Sequence, residues 1–223
     1  MRVRIKVCGI TRPEDAQRAV DLGADALGFN FVPGSPRGIA PQDAERIIRG
    51  LPPFVVAVGV VADMPGEAVV RLARDTGVAV MQLHGEETPE ACAALPIAWY
   101  KAHRVDSRFR LEDLARYPRP RDGRTLFLLD GSAPGKQGGT GRTFDWRVAR
   151  RAADHGRVIL AGGLTPENVV EAIRIAGPFM VDVNSGVESS PGIKDPVRMA
   201  LFVRRASEAA LPRHGGTIAG EPA

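Results

Sequence analysis

A cysteine closes the first apolar run of the chain, in KVCGITRPEDA (residues 6–16), and an aspartate closes a later one, in TLFLLDGSAPGKQGGTG (residues 125–141). A thiol is a base once ionised, and a carboxyl is an acid if its pKa is raised. Taken singly, Cys8 and Asp130 have plain structural explanations. A free cysteine most often packs in a core, and an aspartate after a strand most often caps the next turn. Two further strand endings change that balance. AGGL (161–164) and DVNSGVE (182–188) present Gly162, Gly163, Asn184, Ser185 and Gly186. Bare backbone amides of this kind can cradle an anion. Either stretch alone reads as a tight turn, but two after consecutive strands point to a phosphate. A base, an acid and a phosphate cradle suit the isomerisation of a phosphorylated sugar, in which one carbon loses a proton while a ring oxygen gains one.

Those residues must be brought to one place. Short β-branched runs at 3–8, 25–30, 54–60, 79–83, 97–102, 125–130, 157–161 and 180–183 alternate with amphipathic segments at 13–22, 41–50, 65–76, 88–94, 110–117, 143–154, 166–174 and 195–208. Strict βα alternation predicts an α/β fold with a parallel sheet. Eight units within residues 1–210 predict a single (β/α)8 TIM barrel with a parallel eight-stranded sheet, whose active site lies at the C-terminal strand ends. The helix starts agree: Pro13, Pro41, Pro89, Pro166 and Pro196 fall at or near first helical positions. Gly23, Gly77, Gly156 and Gly177 stand where left-handed helix caps are expected. A doubly wound open sheet is the alternative, but its dinucleotide form calls for GxGxxG after the first strand, where this chain has CGITRP. Residues 211–223, LPRHGGTIAGEPA, have no periodicity and are expected to be a disordered tail.

Composition narrows the function classes. Cys8 and Cys92 form no disulfide framework, and neither CxxC nor HExxH is present, so no metal and no cofactor are expected. The net charge of +4 comes from arginines scattered among acidic residues, with no aromatic platform beyond Tyr117 beside the densest basic stretch. That pattern favours a small anionic substrate and predicts no nucleic-acid partner. No apolar run is long enough to span a bilayer, and the N-terminus is too short and charged for a signal peptide, so no membrane partner and a cytoplasmic location are expected. From the length no fused second enzyme is expected, and the chain is expected to be a monomer or homodimer.

KVCGITRPEDA, GADALGFNFVPGSPRGI, QLHGEETPE, LLDGSAPGKQGGTGRTFDW, LAGGLTPENV and VDVNSGVESSPGIKD, in this order over about residues 3–208, together resemble the phosphoribosylanthranilate isomerases of tryptophan biosynthesis. The resemblance implies an Amadori rearrangement of N-(5-phosphoribosyl)anthranilate. In it Asp130 is the general acid that opens the furanose, and Cys8 is the base that takes the C2′ proton. Arg37, on the stiff turn PGSPRGI, is expected to pair with the anthranilate carboxylate and to supply positive potential near Cys8. His84 either lines the pocket or bonds a neighbouring loop. Asp182, flanked by Val181 and Val183, either points into the mouth towards the substrate amine or is a satisfied structural carboxylate. Partial burial under the GGTG loop is expected to raise the pKa of Asp130.

Two departures from the family pattern stand out: NSGVE where SSGVE is usual, and VVADM (60–64) where an FVN-like stretch is usual. The second leaves one pocket-lining contact open. The sister isomerase of histidine biosynthesis, or a dual-substrate form, is the nearest rival. It resembles this fold but carries an aspartate at the position of Cys8 and needs a second phosphate cradle, which GVVADM and QLHGEE do not offer. A non-catalytic phosphosugar-binding barrel is the rival of another class, and it would have no need to keep both Cys8 and Asp130.

Overall fold

Each β-run of this chain is too short to be stable alone, and pairing with both neighbours is what holds it. In the computed structural model, which describes residues 2–117, 125–131 and 144–209, eight parallel strands close on themselves in sequence order. They are β1 (Arg4–Val7), β2 (Ala26–Asn30), β3 (Val56–Val61), β4 (Val80–Leu83), β5 (Trp99–Arg104), β6 (Leu126–Asp130), β7 (Arg157–Ala161) and β8 (Met180–Val183). Helices α1 (Pro13–Asp21), α2 (Pro41–Arg49), α3 (Gly66–Thr76), α4 (Pro89–Ala93), α5 (Trp146–Ala152), α6 (Val169–Ala176) and α7 (Pro196–Glu208) surround the barrel. The chain is therefore a (β/α)8 barrel. The proposed tail, 211–223, lies outside the described residues.

Alternation along each strand sorts side chains into two layers. Ile5, Val7, Phe127, Leu129, Val181 and Val183 face the helices and belong to the large core between strands and helices. Ala26, Val58, Tyr100, Ala102, Leu128 and Ile159 fill the barrel interior. Lys6, Gln82 and Asp182 are buried polar residues on strands of this same barrel. Register settles who meets whom: Lys6 pairs across the sheet with Asp182, and Gln82 with Tyr100.

Four local expectations need correction. The segment at 110–117 forms a 3-10 helix, Leu111–Arg116, rather than an α-helix. Tyr117 is already extended, as a residue before proline must be, and Pro118 and Pro120 follow. The sixth α-helix starts at Val169, so Pro166 is not its first residue. Asn168 takes over the preceding turn, accepting from the Thr165 N–H and donating to the Gly163 carbonyl. Gly77 and Gly177 are left-handed caps, but Gly156 has no positive φ. Gly156 is needed for room, since a Cβ there would lie 2.4 Å from the Thr125 carbonyl oxygen. Last, ESSPGIK folds into an unforeseen antiparallel ribbon, β9 (Glu188–Ser190) and β10 (Ile193–Lys194), turning through Pro191 and Gly192 (φ +82°).

Candidate active site

The C-terminal strand ends enclose a cavity of about 180 Å³. Cys8, Arg37, His84, Asp130, Gly162, Gly163, Asp182, Asn184, Ser185 and Gly186 all line it, so the structure brings every sequence-derived candidate to one place.

Cys8 follows β1 directly and is 6% exposed. Its sulfur occupies space left by the missing side chain of Gly28 on β2, where a Cβ would lie 2.6 Å from Sγ. The chain turns at once through Gly9 (φ +71°), where a Cβ would also strike Asn184 Oδ1. Burial pushes the Cys8 thiol up from its ordinary value; Lys6 pulls it down, Asp182 raises it and Lys194 lowers it. Lys6 and Lys194 are thus cations that act on the sulfur. Arg37, also expected to supply positive potential, lines the same cavity and is held in a buried bidentate pair with Glu188, Nε to Oε1 at 2.9 Å and Nη2 to Oε2 at 2.7 Å. It is 9% exposed, which rules out a solvated loop arginine.

Lys6 and Asp182 form a buried ion pair at 2.8 Å. Burial alone would lower the Lys6 pKa, but Asp182, then Cys8 and Tyr100, hold it well above the usual lysine value. Asp182 uses only Oδ2 in this pair. Its Oδ1 is buried and has no hydrogen-bond partner among the described residues. An orphan acceptor in a pocket wall is the feature that a substrate N–H would satisfy.

Asp130 ends β6, and its Oδ2 lies 3.4 Å from His84 Nε2. His84 therefore lines the pocket beside the Asp130 carboxylate, and the side-chain hydrogen bond it makes among the described residues is to Gln82 rather than to a neighbouring loop. The GGTG loop expected to cover Asp130 lies outside the described residues. Gly162 (φ +82°) sits against Asp130, since a Cβ there would be 2.5 Å from Oδ1. Gly163 also takes a positive φ, of +68°. Ser185 and Gly186 begin a short 3-10 helix, Ser185–Val187, and a Cβ on Gly186 would come within 1.9 Å of the Leu164 carbonyl oxygen. These glycines bring the ends of β7 and β8 together and leave backbone exposed between them.

Five site residues escaped the sequence analysis: Lys6, Gln82, Tyr100, Glu188 and Lys194. The first two had a usable signal, because in RIKV and VMQL they alternate with core residues and must face inward with Cys8 and His84 nearby. Glu188 and Lys194 had none, since they meet only through the β9–β10 ribbon. There Glu188 receives Lys194 Nζ at 3.0 Å, and Lys194 also reaches Asn184 Oδ1 at 3.1 Å. Burial alone would push the Glu188 carboxyl up, but Arg37 and Lys194 hold it below its ordinary value. Of the two departures, Val60 of VVADM does line the cavity, whereas Asp63 (φ +52°) turns to cap the Glu86 N–H. Among the described residues no helix is long and apolar enough to cross a membrane.

Fold and site define a (β/α)8-barrel enzyme with a candidate active-site pocket at the C-terminal mouth. A family profile for N-(5′phosphoribosyl)anthranilate (PRA) isomerase matches residues 5–205. A protein of Trichlorobacter lovleyi, an N-(5′-phosphoribosyl)anthranilate isomerase, is 49% identical over 93% of this chain and 99% of its own length. The crystal structure of phosphoribosyl anthranilate isomerase from Thermotoga maritima superposes with a TM-score of 0.84 at 42% identity, covering 92% of this chain and 98% of that one. The Thermus thermophilus enzyme gives 0.81 at 42%, covering 91% and 98%. This chain belongs to the N-(5′-phosphoribosyl)anthranilate isomerase family.

Proposed function

We propose that the cavity carries out its family's reaction with Cys8 and Asp130 as a base and acid pair. The reaction is the isomerisation of N-(5′-phosphoribosyl)anthranilate to 1-(2-carboxyphenylamino)-1-deoxyribulose 5-phosphate, an Amadori rearrangement in tryptophan biosynthesis. The observation that carries the assignment of roles is that both residues, the strand 7 and 8 glycines and the orphan acceptor of Asp182 line one cavity. Asp130 donates a proton to the furanose ring oxygen, and the bond from that oxygen to C1′ breaks as the anthranilate nitrogen forms a Schiff base. The iminium acidifies C2′–H, and the Cys8 thiolate removes that proton to leave an enolamine. Tautomerisation yields the ketone. The protons balance within substrate and side chains, so the steps need no external oxidant or reductant.

The phosphate sits between Gly162, Gly163, Asn184, Ser185 and Gly186, where backbone comes close. Asp182 Oδ1 accepts from the substrate amine. Arg37, whose guanidinium Glu188 holds rigidly by Nε and Nη2, offers its remaining edge to the anthranilate carboxylate. A solved structure 41% identical to this chain, with a TM-score of 0.80, is described as a complex with reduced 1-(o-carboxyphenylamino)-1-deoxyribulose 5-phosphate. That compound carries the phosphate, amine and carboxylate these residues would meet. The enzyme works in the cytoplasm on a small phosphorylated substrate, as a monomer or homodimer.

The test is turnover of freshly generated phosphoribosylanthranilate, followed by loss of anthranilate fluorescence. Cys8→Ala and Asp130→Asn should each fall by roughly 10²–10⁴-fold, the usual contribution of an acid or base. Activity surviving in Cys8→Ala returns the thiol to packing and leaves the base to be found elsewhere.

A further inference from the structure

A line of hydrogen bonds crosses the barrel interior and ends on His84, whose far nitrogen faces Asp130, and the line has a direction. Lys6 Nζ donates to Gln82 Oε1 at 3.1 Å, and Tyr100 donates to the same oxygen at 2.8 Å. An ammonium has donors only, so the Gln82 atom it meets must be the carbonyl oxygen. The other end of that amide is then the NH₂ group, which lies 2.7 Å from His84 Nδ1. An amide NH₂ donates and does not accept, so Nδ1 of His84 is the acceptor. The single proton of the neutral imidazole therefore sits on Nε2, the nitrogen 3.4 Å from Asp130 Oδ2.

We propose that Gln82 is a positioning residue for the isomerisation: anchored by Lys6 and Tyr100, it holds His84 as the Nε2–H tautomer and aims that proton at Asp130. The proposal rests on Asp130 being the acid. When Asp130 passes its proton to the ring oxygen, a carboxylate forms. A neutral N–H beside it, able to close from 3.4 Å to hydrogen-bond distance, stabilises that charge with little reorganisation. A positively charged imidazole would serve worse, since a full charge beside Asp130 would hold it ionised before it could donate. Gln82 is 2% exposed, so water cannot readily take over its role.

The experiment uses the full chain with ¹⁵N-labelled histidine and long-range ¹H–¹⁵N correlation spectra, which tell the two neutral tautomers apart. The His84 signals are those missing in His84→Asn. The wild type should show the proton on Nε2; a proton on Nδ1 overturns the proposal whatever any variant does. Gln82→Glu keeps an acceptor for Lys6 and Tyr100 but offers an acceptor to Nδ1 as well. It should move the proton onto Nδ1 and lower kcat about 10–100-fold with KM little changed, as expected for one lost charge-directed hydrogen bond. A purely structural role would leave the tautomer of the folded variant unchanged. If Gln82→Glu does not fold, Gln82→Met, which removes the donor, should show the same loss of kcat. Full kcat in whichever folded variant is measured refutes the proposal. Asp130→Asn is assayed in parallel. Activity retained there defeats the acid assignment, whereas an inactive Asp130→Asn beside a fully active Gln82 variant defeats only the positioning role.

Discussion

Gly28→Ala tests whether the placement of one sulfur atom controls the rate. The added Cβ would lie 2.6 Å from Cys8 Sγ, 3.1 Å from its Cα and 3.2 Å from its Cβ. Ordinary non-bonded carbon contacts begin at about 3.5 Å, so the sulfur must retreat by about 1 Å. Cys8 is buried and its backbone N–H is bonded to the Val183 carbonyl at 2.8 Å, which leaves little room for the strand end to yield. A displacement of this size can cost about 10²-fold in rate. Overpacking of the wall should cost about 1–3 kcal/mol of stability as well. Gly23→Ala separates the two effects. Gly23 has φ +94° and open space around it, so alanine there brings backbone strain of about 1–3 kcal/mol with no contact to the pocket. The assay pairs anthranilate-fluorescence turnover with urea unfolding for both variants. The expected result is similar destabilisation in the two, with a fall in kcat of about a hundredfold in Gly28→Ala alone. Wild-type kcat in Gly28→Ala would refute the reasoning that the Cys8 sulfur must sit where it does. Equal losses in both variants would show that stability, not placement, sets the rate.

Lys6→Met should destabilise the fold by about 3–5 kcal/mol, because it strands the Asp182 carboxylate in the barrel interior; a shift in urea unfolding below about 1 kcal/mol would contradict a charged pair there. His103, half-buried against Phe109, Tyr117 and Phe127, has its pKa lowered to about 4 by loss of water and then by Lys101, with Asp113 opposing. Between pH 6.5 and 4 the unfolded chain binds a proton there that the folded chain does not, so this stability is present above pH 6.5 and lost as pH falls. The loss should reach about 2 kcal/mol at pH 5, and His103→Leu should remove that part of the pH dependence of unfolding. At Cys8 the active form is the thiolate and burial raises the thiol pKa, so kcat/KM should climb with pH through the alkaline range. A flat profile from pH 7 to 9.5 would show that ionisation of this thiol does not limit the reaction.

What was legible in the chain was local. Period-2 and period-3.6 patterns depend on neighbours a few residues apart, so all eight strands and their order could be read before any pairing was known. Strand ends follow from strands, and with them Cys8, His84, Asp130, Gly162, Gly163 and Asn184 fell at one mouth. Errors arose where a nearby group competed with the pattern. Pro118 and Pro120 accompany a 3-10 turn at 111–116, and Asn168 took hydrogen bonds that delayed the sixth α-helix.

The electrostatics of the site came only from closure of the barrel. Lys6 and Asp182 are 176 residues apart and meet because β1 pairs with β8. Arg37 and Glu188, 151 residues apart, meet because a two-strand ribbon lies beside the β2 loop. Gln82 reaches Lys6 only across the barrel interior. A charge or an amide in a sequence carries no sign of its partner, since partner choice depends on register and on which residues lose water together. The sequence by itself determined which strand ends carry the thiol, the carboxylate and the glycines; the tertiary structure decided which cations tune them, because only there are the charges buried at hydrogen-bond distance.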